Sequence, residues 1–259
     1  MSEAEQFPFG TAASSRPPSA DGPRPVFILG AYPSALHVRW IPPEDSALRQ
    51  VKALPVADEP TPFWNGDDAT ARVKAWIATN NFDPATHGTF APAPKFNGAS
   101  GQWVDTNVIA ALACTRDETW ITDCLDTYRL SNGARKALTE TYGEPACVHY
   151  GWPTWHLRDH PSEDTVVSES LAEHRARLRA ELATCQPELV VTLGNAALRV
   201  MGTLLSAGPD RLDPDGYGTR FNVGLGGRAV EWLPLAHPAA PKRYQDAHLS
   251  WMERARSAG

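Results

Sequence analysis

The chain has 259 residues, enough for one large domain or two small ones, and 42% of them are hydrophobic, as in globular proteins that build their own core. A net charge of −6 argues against a strongly basic nucleic-acid coat, although a local basic site would still act over about one Debye length. No apolar run has the length of a membrane span, and the four cysteines lack the C-x-x-C spacing of zinc or iron–sulfur sites.

The N-terminal segment is rich in Pro, Ser and Ala and lacks the apolar block of a signal peptide. Residues 1–24 are therefore expected to form a disordered or loosely attached leader. Residues 25–259 are expected to form a single domain. A cytoplasmic location follows as the default expectation for a chain without a targeting signal.

The first half of the domain offers one strand and one helix. The apolar run Val26–Gly30 predicts a buried strand, and a long irregular stretch with six prolines follows it. A helix is expected to begin near Asp67 or Asp68, either of which could cap it, and to continue through "ATARVKAWIATNN". Residues 83–107 are rich in Gly, Pro and Ala and are interpreted as a loop.

The second half alternates strands with helices. Three further strands are expected in the apolar runs "ETWITDCLDTYRL", "ELVVTLG" and "RAVEWLPLAHP". Helices are expected in "SNGARKALTETYG", "SESLAEHRARLRAELATC", "NAALRVMGTLL" and "KRYQDAHLSWMERARS". Apolar strands without alternation are typical of a parallel sheet covered on both faces. The predicted fold is a three-layer α/β/α domain with a central, mainly parallel four-stranded sheet.

A Gly- and Asp-rich span, residues 206–227, precedes the last predicted strand. It ends in "GLGGRA", which is similar to part of a dinucleotide-binding fingerprint. That fingerprint needs a strand before it and a helix after it, whereas a strand follows here. The glycines are therefore interpreted as a tight turn.

Each predicted strand ends in small, polar or conformationally special residues. In open parallel sheets, ligands bind outside the carboxyl ends of the strands. Four such ends in one chain therefore predict a single site. The four ends are Gly30–Ser34, Thr122–Cys124, Gly194–Asn195 and His237–Ala239.

These strand ends resemble those of the uracil-DNA glycosylase superfamily. Gly30–Ser34 is similar to its Gly-x-x-Pro-x loop, and His237–Ala239 to its His-Pro-Ser loop, with Ala in place of Ser. The stretch "PELVVTLGNAALRVM" is similar to its apolar strand that ends in Leu-Gly and opens a helix. Asp123 stands where the superfamily usually has an Asn that reads the base. The resemblance extends in patches over residues 25–256.

The resemblance implies an N-glycosidase of DNA base-excision repair that acts on a deaminated or modified base rotated out of the helix. It implies single- or double-stranded DNA or a nucleotide as partner, with no metal or other cofactor, no membrane and no obligate protein partner. His237 and Asp123 would be catalytic, His237 by donating to the leaving base. The expected base-binding residues are Ala31, Tyr32, Phe63, Trp64, Asp123 and Asn195, and the expected nucleic-acid contacts are Pro33, Ser34, Pro238, Ala239, Lys242 and Arg243.

The first loop departs from the superfamily pattern. Many relatives carry Asp, Glu or Asn there to hold water, whereas this chain has Ala31 and Tyr32. A tyrosine with a pKa near 10 is a poor base at neutral pH. Three residues of the following segment could substitute, and nothing in the sequence selects among His37, Asp58 and Glu59.

Asp123 is the second departure. An Asn offers a donor and an acceptor, whereas an ionised Asp only accepts. It would favour a base that presents donors, such as an amino group or a ring N–H beside one. The sequence therefore predicts that uracil is not the preferred base, unless Asp123 is protonated.

Other functions and other patterns stay open at this point. The chain could be a catalytically silent member that binds nucleic acid or a nucleotide, or a hydrolase of small nucleosides or nucleotides. His156 and His160 lie close enough in sequence to suggest metal binding, but Pro161 and the loop setting argue against it. Trp152 and Trp155 either stack on exposed bases or plug the domain.

Overall fold

The computed structural model of the chain describes residues 4–258. Eight strands form two sheets. The strands are β1 (Val26–Gly30), β2 (Ala35–Ile41), β3 (Val51–Asp58), β4 (Thr89–Pro92), β5 (Thr119–Asp123), β6 (Leu189–Leu193), β7 (Phe221–Leu225) and β8 (Arg228–Leu235). The helices are α1 (Ala69–Thr79), α2 (Pro84–His87), α3 (Ala99–Val104), α4 (Asn132–Ala137), α5 (Glu144–Tyr150), α6 (Glu163–Glu169), α7 (Arg175–Cys185), α8 (Asn195–Leu205) and α9 (Lys242–Ala258).

The central sheet has the strand order β5-β1-β6-β8-β7, and the first four strands run parallel. This confirms the α/β class and the mainly parallel sheet, with five strands where the sequence predicted four. The fifth strand, β7, lies in the span interpreted as irregular and pairs antiparallel with β8. Gly226 and Gly227 connect the two strands with positive φ angles of 57° and 80°, as a two-residue hairpin turn requires.

The main core lies on the central sheet. All five residues of β1 are buried, and so are all five of β6, because both strands are covered on both faces. The helix α7 covers one face, where Trp120 donates a hydrogen bond to Glu181 and Arg177 donates one to Thr122. The helix α8 begins at Asn195, as the sequence predicted, and contributes five buried residues.

A second, antiparallel sheet with the order β3-β2-β4 is absent from the sequence prediction. Its strands lie in residues 31–62 and 83–107, which were interpreted as irregular because of their prolines. Prolines are tolerated in edge strands and at bulges, and β3 and β4 are both edge strands. Pro55 faces His37 beside a register shift, and Pro92 is the last residue of β4.

Residues 7–13 of the N-terminal segment pack against this second sheet, in contrast to the loose attachment expected there. Phe7 and Phe9 are buried in the aromatic cluster of the second sheet. The main chain of Gln6 exchanges two hydrogen bonds with that of His156, at 2.7 and 2.8 Å. Two aromatic side chains thus anchor a segment whose overall composition resembles a linker. That the rest of the chain is one domain stays a prediction.

One helix begins earlier than predicted. The sequence placed its start at Ser168, but α6 begins at Glu163 and is capped by Ser162, whose Oγ accepts from the main-chain N–H of Thr165 at 3.1 Å. A π-helical turn, Ser170–His174, joins α6 to α7. Within residues 4–258, no helix combines the length and the apolar character that a bilayer crossing needs. All four cysteines are free thiols.

Candidate functional site

The strand register brings predicted site residues together along one edge of the central sheet, namely the edge formed by the carboxyl ends of its parallel strands. Gly30 at the end of β1 is level with Asp123 at the end of β5. Across β6, Leu193 is level with Leu235 at the end of β8, two residues before His237. Three strand spacings separate β5 from β8, or roughly 14 Å. Asp123 and His237 therefore lie at the same edge, with the ends of β1 and β6 between them.

His237 is fixed against the end of β6. The main-chain N–H of Gly194 donates to the carbonyl of Leu235 at 2.8 Å, and a Cβ on Gly194 would lie 3.2 Å from that of His237. Nδ1 of His237 accepts from the N–H of Ala239 at 3.1 Å, so the neutral ring carries its proton on Nε2. Burial lowers the pKa of His237 below its usual value. The half-buried ring is therefore a neutral N–H donor, flanked by half-buried Pro238 and exposed Ala239.

Phe63, Gly30 and Asp123 form one contact group. A Cβ on Gly30 would lie 2.1 Å from Oδ1 of Asp123 and 2.4 Å from the ring of Phe63, so only glycine fits there. Phe63 has a left-handed backbone with φ 50°, and its carbonyl accepts from Arg116 at 2.7 Å. Trp64, the other aromatic candidate, packs in the second core cluster. The structure thus brings Phe63, and not Trp64, to Asp123.

Asp123 is a buried carboxyl without a partner. Its residue is 3% exposed, and within the part of the chain that the structure describes neither side-chain oxygen has a hydrogen-bond partner. Burial raises the pKa of Asp123 well above its usual value, and the charges of Glu59 and Glu181 add to this. Arg177 opposes the shift, yet it donates to the main-chain carbonyls of Asp123 and Cys124 at 2.7 and 2.9 Å. Burial and these charges therefore favour the neutral form of the carboxyl.

Of the three residues that could replace an acidic group in the first loop, Glu59 is the one that hydrogen-bonds to this loop. Its Oε1 accepts from the main-chain N–H of Ser34 at 2.9 Å, and the residue is 4% exposed. Burial raises the pKa of Glu59 to about 7. Asp58 instead pairs with Arg16, and the buried His37 lies in β2 with its pKa lowered to about 4 by burial.

Tyr32 has a partner that the sequence did not reveal. Its hydroxyl lies 2.7 Å from Nδ1 of His160, and burial raises the pKa of Tyr32 to about 12, so it stays protonated. The neighbouring Pro33 is buried, and the carbonyl of half-buried Ala31 accepts from the N–H of Leu125 at 3.0 Å. This last bond fixes the first loop to the end of β5. The contact between Tyr32 and His160 joins segments over a hundred residues apart, so it has no local sequence signal.

The remaining predicted residues lie at the rim. Oδ1 of Asn195 accepts from the N–H of Leu212 at 3.0 Å, which ties the following loop to α8. Lys242 and Arg243 are exposed at the start of α9, and the ammonium of Lys242 pairs with Asp246 at 3.1 Å. Base binding by Asn195 and contacts of Lys242 and Arg243 with a nucleic-acid strand stay predictions.

One group of side chains among residues 4–258 has the geometry to hold a metal ion. Ligand atoms of Glu169, Glu173 and His174 lie within 4.8 Å of one another. Glu169, however, already pairs with the guanidinium groups of Arg129 and Arg158. The group lies on α6 and the turn after it, outside the set of strand-end residues, and is an ion-pair cluster.

The sequence model of the uracil DNA glycosylase superfamily matches residues 83–257, about two thirds of the chain. The match includes Asp123, Asn195 and His237. No curated protein matches the chain. The chain belongs to the uracil DNA glycosylase superfamily.

Proposed function

We propose that the protein is a DNA glycosylase, which hydrolyses the bond between a nucleobase and its deoxyribose as the first step of base-excision repair. The observation that carries this proposal is the placement of a neutral His237 donor and the unpartnered Asp123 carboxyl on one sheet edge. Membership of the superfamily supports it. The base would rotate out of the DNA and bind over the carboxyl ends of β1 and β6, between Asp123 and His237.

Phe63 supplies the stacking surface for the base. Its ring lies against Gly30 and Asp123, and its left-handed backbone is held by the hydrogen bond from Arg116. Aromatic side chains stack on any base because every base has a π-face, at about 1–3 kcal/mol per base. Gly30 leaves room for the ring of Phe63 because glycine has no side chain.

His237 stabilises the departing base. As the glycosidic bond breaks, negative charge builds up on the base, and Nε2–H donates to its carbonyl oxygen. The tautomer is set before the reaction by the N–H of Ala239 on Nδ1. A preorganised donor of this kind contributes about 3–4 kcal/mol to the transition state.

Glu59 accepts the proton of the attacking water. The carboxyl of Glu59 is held at the first loop by the hydrogen bond that it accepts from the main-chain N–H of Ser34. A pKa of about 7 suits a general base at neutral pH. The water oxygen bonds to C1′ of the sugar while one of its protons passes to Glu59. Glu59 thus takes the role that Ala31 and Tyr32 cannot fill.

The test is single-turnover formation of abasic sites in oligonucleotides that each hold one modified, deaminated or mismatched base. The wild type should cleave at least one substrate, and His237→Ala should reduce that rate about 100- to 1000-fold, the equivalent of 3–4 kcal/mol. His149→Ala, which removes an exposed histidine, is the matched control and should keep the wild-type rate. Failure of the wild type on every substrate would reject the proposal, and equal rates for His237→Ala and wild type would remove the proposed role of His237.

A second candidate is a hydrolase of free nucleosides or nucleotides. The net charge of −6 and the pairing of Lys242 with Asp246 favour a substrate smaller than a DNA strand. Release of base from nucleosides, with no cleavage of any oligonucleotide, would support it. Tight binding of oligonucleotides without cleavage would identify a catalytically silent member.

A further inference from the structure

The unpartnered carboxyl of Asp123 has the properties of a group that waits for a ligand. Buried polar atoms are nearly always hydrogen-bonded, because an unpaired one destabilises the folded state. Arg177 lowers the pKa of Asp123, but its guanidinium donates to the main-chain carbonyl of Asp123 and not to the carboxyl. Oδ1 lies against Gly30, beside the ring of Phe63. A stacked base would meet both carboxyl oxygens with its edge.

Burial and the charges around Asp123 favour its protonated form. Glu59 from the segment after β3 and Glu181 from α7 both raise its pKa, burial contributes most, and Arg177 from α7 opposes them. In the first loop, burial raises the pKa of Tyr32 to about 12, so its hydroxyl stays protonated. A protonated Asp123 would offer one O–H donor and one carbonyl acceptor from the same carboxyl group.

Two kinds of base edge match a carboxylic acid. A lactam edge, N–H beside C=O, pairs with the acid only. An amidine edge, a ring nitrogen beside an amino group, pairs with the acid and, once protonated, also with the carboxylate, by two charge-assisted hydrogen bonds. Only the amidine edge is therefore matched both before and after Asp123 gives up its proton. An Asn at this position could not transfer a proton at all.

His237 adds a second requirement. Its Nε2–H donor at the other end of the site needs a carbonyl oxygen on the base. An amidine edge with a carbonyl oxygen next to the ring nitrogen is the pattern of 4-amino-2-oxopyrimidines, cytosine and its modified forms. Adenine has the amidine edge but no oxygen, and uracil has the oxygen but a lactam edge. Asp side chains accept from the cytosine amino group in other recognition settings.

Building on the proposed function, we infer that the site excises a cytosine-type base and that Asp123 is its acid. In this step the O–H bond of Asp123 breaks and an N3–H bond forms on the base. The C1′–N1 bond breaks, the water oxygen bonds to C1′, and the water proton passes to Glu59. The base leaves as a neutral molecule, and the proton on Glu59 returns to Asp123 to restore the site.

The experiment uses strands of A, G and T that hold one test base, which is cytosine, 5-methylcytosine, uracil or hypoxanthine. Each strand is assayed alone and opposite a mismatch, where flipping costs least. The wild type should release a cytosine-type base at least 10-fold faster than uracil. Asp123→Asn should lose at least 100-fold on cytosine and less than 10-fold on uracil, so that the preference for cytosine over uracil falls at least 10-fold. Asp117→Asn, an exposed aspartate just before β5, is the matched control.

The outcomes separate this inference from the proposed function. Faster release of uracil or hypoxanthine than of cytosine by the wild type would overturn the inference and leave a glycosylase. An unchanged preference in a folded Asp123→Asn would overturn it as well. Should that variant not fold, the preference of the wild type decides alone. No release of any base would reject the glycosylase, and the inference with it.

Discussion

Replacing Glu59 by Gln should change how the stability of the protein depends on pH. Glu59 is 4% exposed, and its pKa is raised from an ordinary value of 4.5 to about 7. The folded protein therefore holds a proton that the unfolded chain releases as the pH rises through this range. The free energy of unfolding falls with rising pH wherever the folded state binds more protons. The favourable contribution of protonated Glu59 to the free energy of unfolding is complete below pH 4.5 and is lost by about pH 7.

The magnitude follows from the separation of the two pKa values. Each pH unit is worth about 1.4 kcal/mol, so Glu59 should cost the wild type about 3 kcal/mol between pH 4.5 and 8. A glutamine has no proton to lose. Relative to the wild type, Glu59→Gln should therefore become more stable by about 3 kcal/mol over this interval, whatever the difference at low pH.

Urea denaturation at several pH values between 4.5 and 8 measures the effect, because the midpoint and slope give the free energy of unfolding. Glu188→Gln, an exposed glutamate before β6, is the matched control and should follow the wild type. Parallel curves for wild type and Glu59→Gln would show that Glu59 titrates normally. Its assignment as a base poised near neutral pH would then be wrong.

Four further predictions concern single residues. Gly30→Ala places a Cβ 2.1 Å from the Asp123 carboxyl and should destabilise the protein by about 1–3 kcal/mol in urea, whereas Gly224→Ala, with open space around it, should not; equal midpoints would contradict the packing. Phe63→Ala should weaken binding of a non-cleavable oligonucleotide by about 1–3 kcal/mol in a fluorescence titration, and an unchanged affinity would remove its stacking role. Arg177→Met leaves two strand-end carbonyls without donors and should cost about 1–3 kcal/mol of stability by thermal unfolding, a loss that a purely exposed arginine would not cause. The cleavage rate of the wild type should rise with pH to about 7, as Glu59 ionises, and Glu59→Gln should abolish this rise in a pH–rate profile; a profile that kept it would place the base elsewhere.

The parallel part of the fold was readable in the sequence because its strands are continuous apolar runs. β1 and β6 are buried along their whole length, and α8 begins at the predicted residue. The antiparallel sheet was not readable because its prolines sit on edge strands and at a bulge, where they do not break pairing. Local patterns describe a segment and not its position within a sheet.

Part of the candidate site could likewise be predicted from the sequence, and part of it could not. Gly30, Asp123 and His237 were predicted because strand ends mark ligand sites whatever the details of the fold. Glu59 could not be selected, because its contact with Ser34 joins two segments 25 residues apart. The raised pKa of Asp123 also depends on its burial and on charges that are distant in sequence. Chemistry that depends on burial and on neighbouring charge becomes visible only in three dimensions.

The most direct measurement is a crystal structure of the protein with an oligonucleotide that carries one non-hydrolysable cytosine-type nucleotide. The base should stack on Phe63, with its amidine edge at the carboxyl of Asp123 and its carbonyl oxygen at Nε2 of His237. A base bound elsewhere, with Asp123 still without a partner, would contradict the assignment of this sheet edge as the active site.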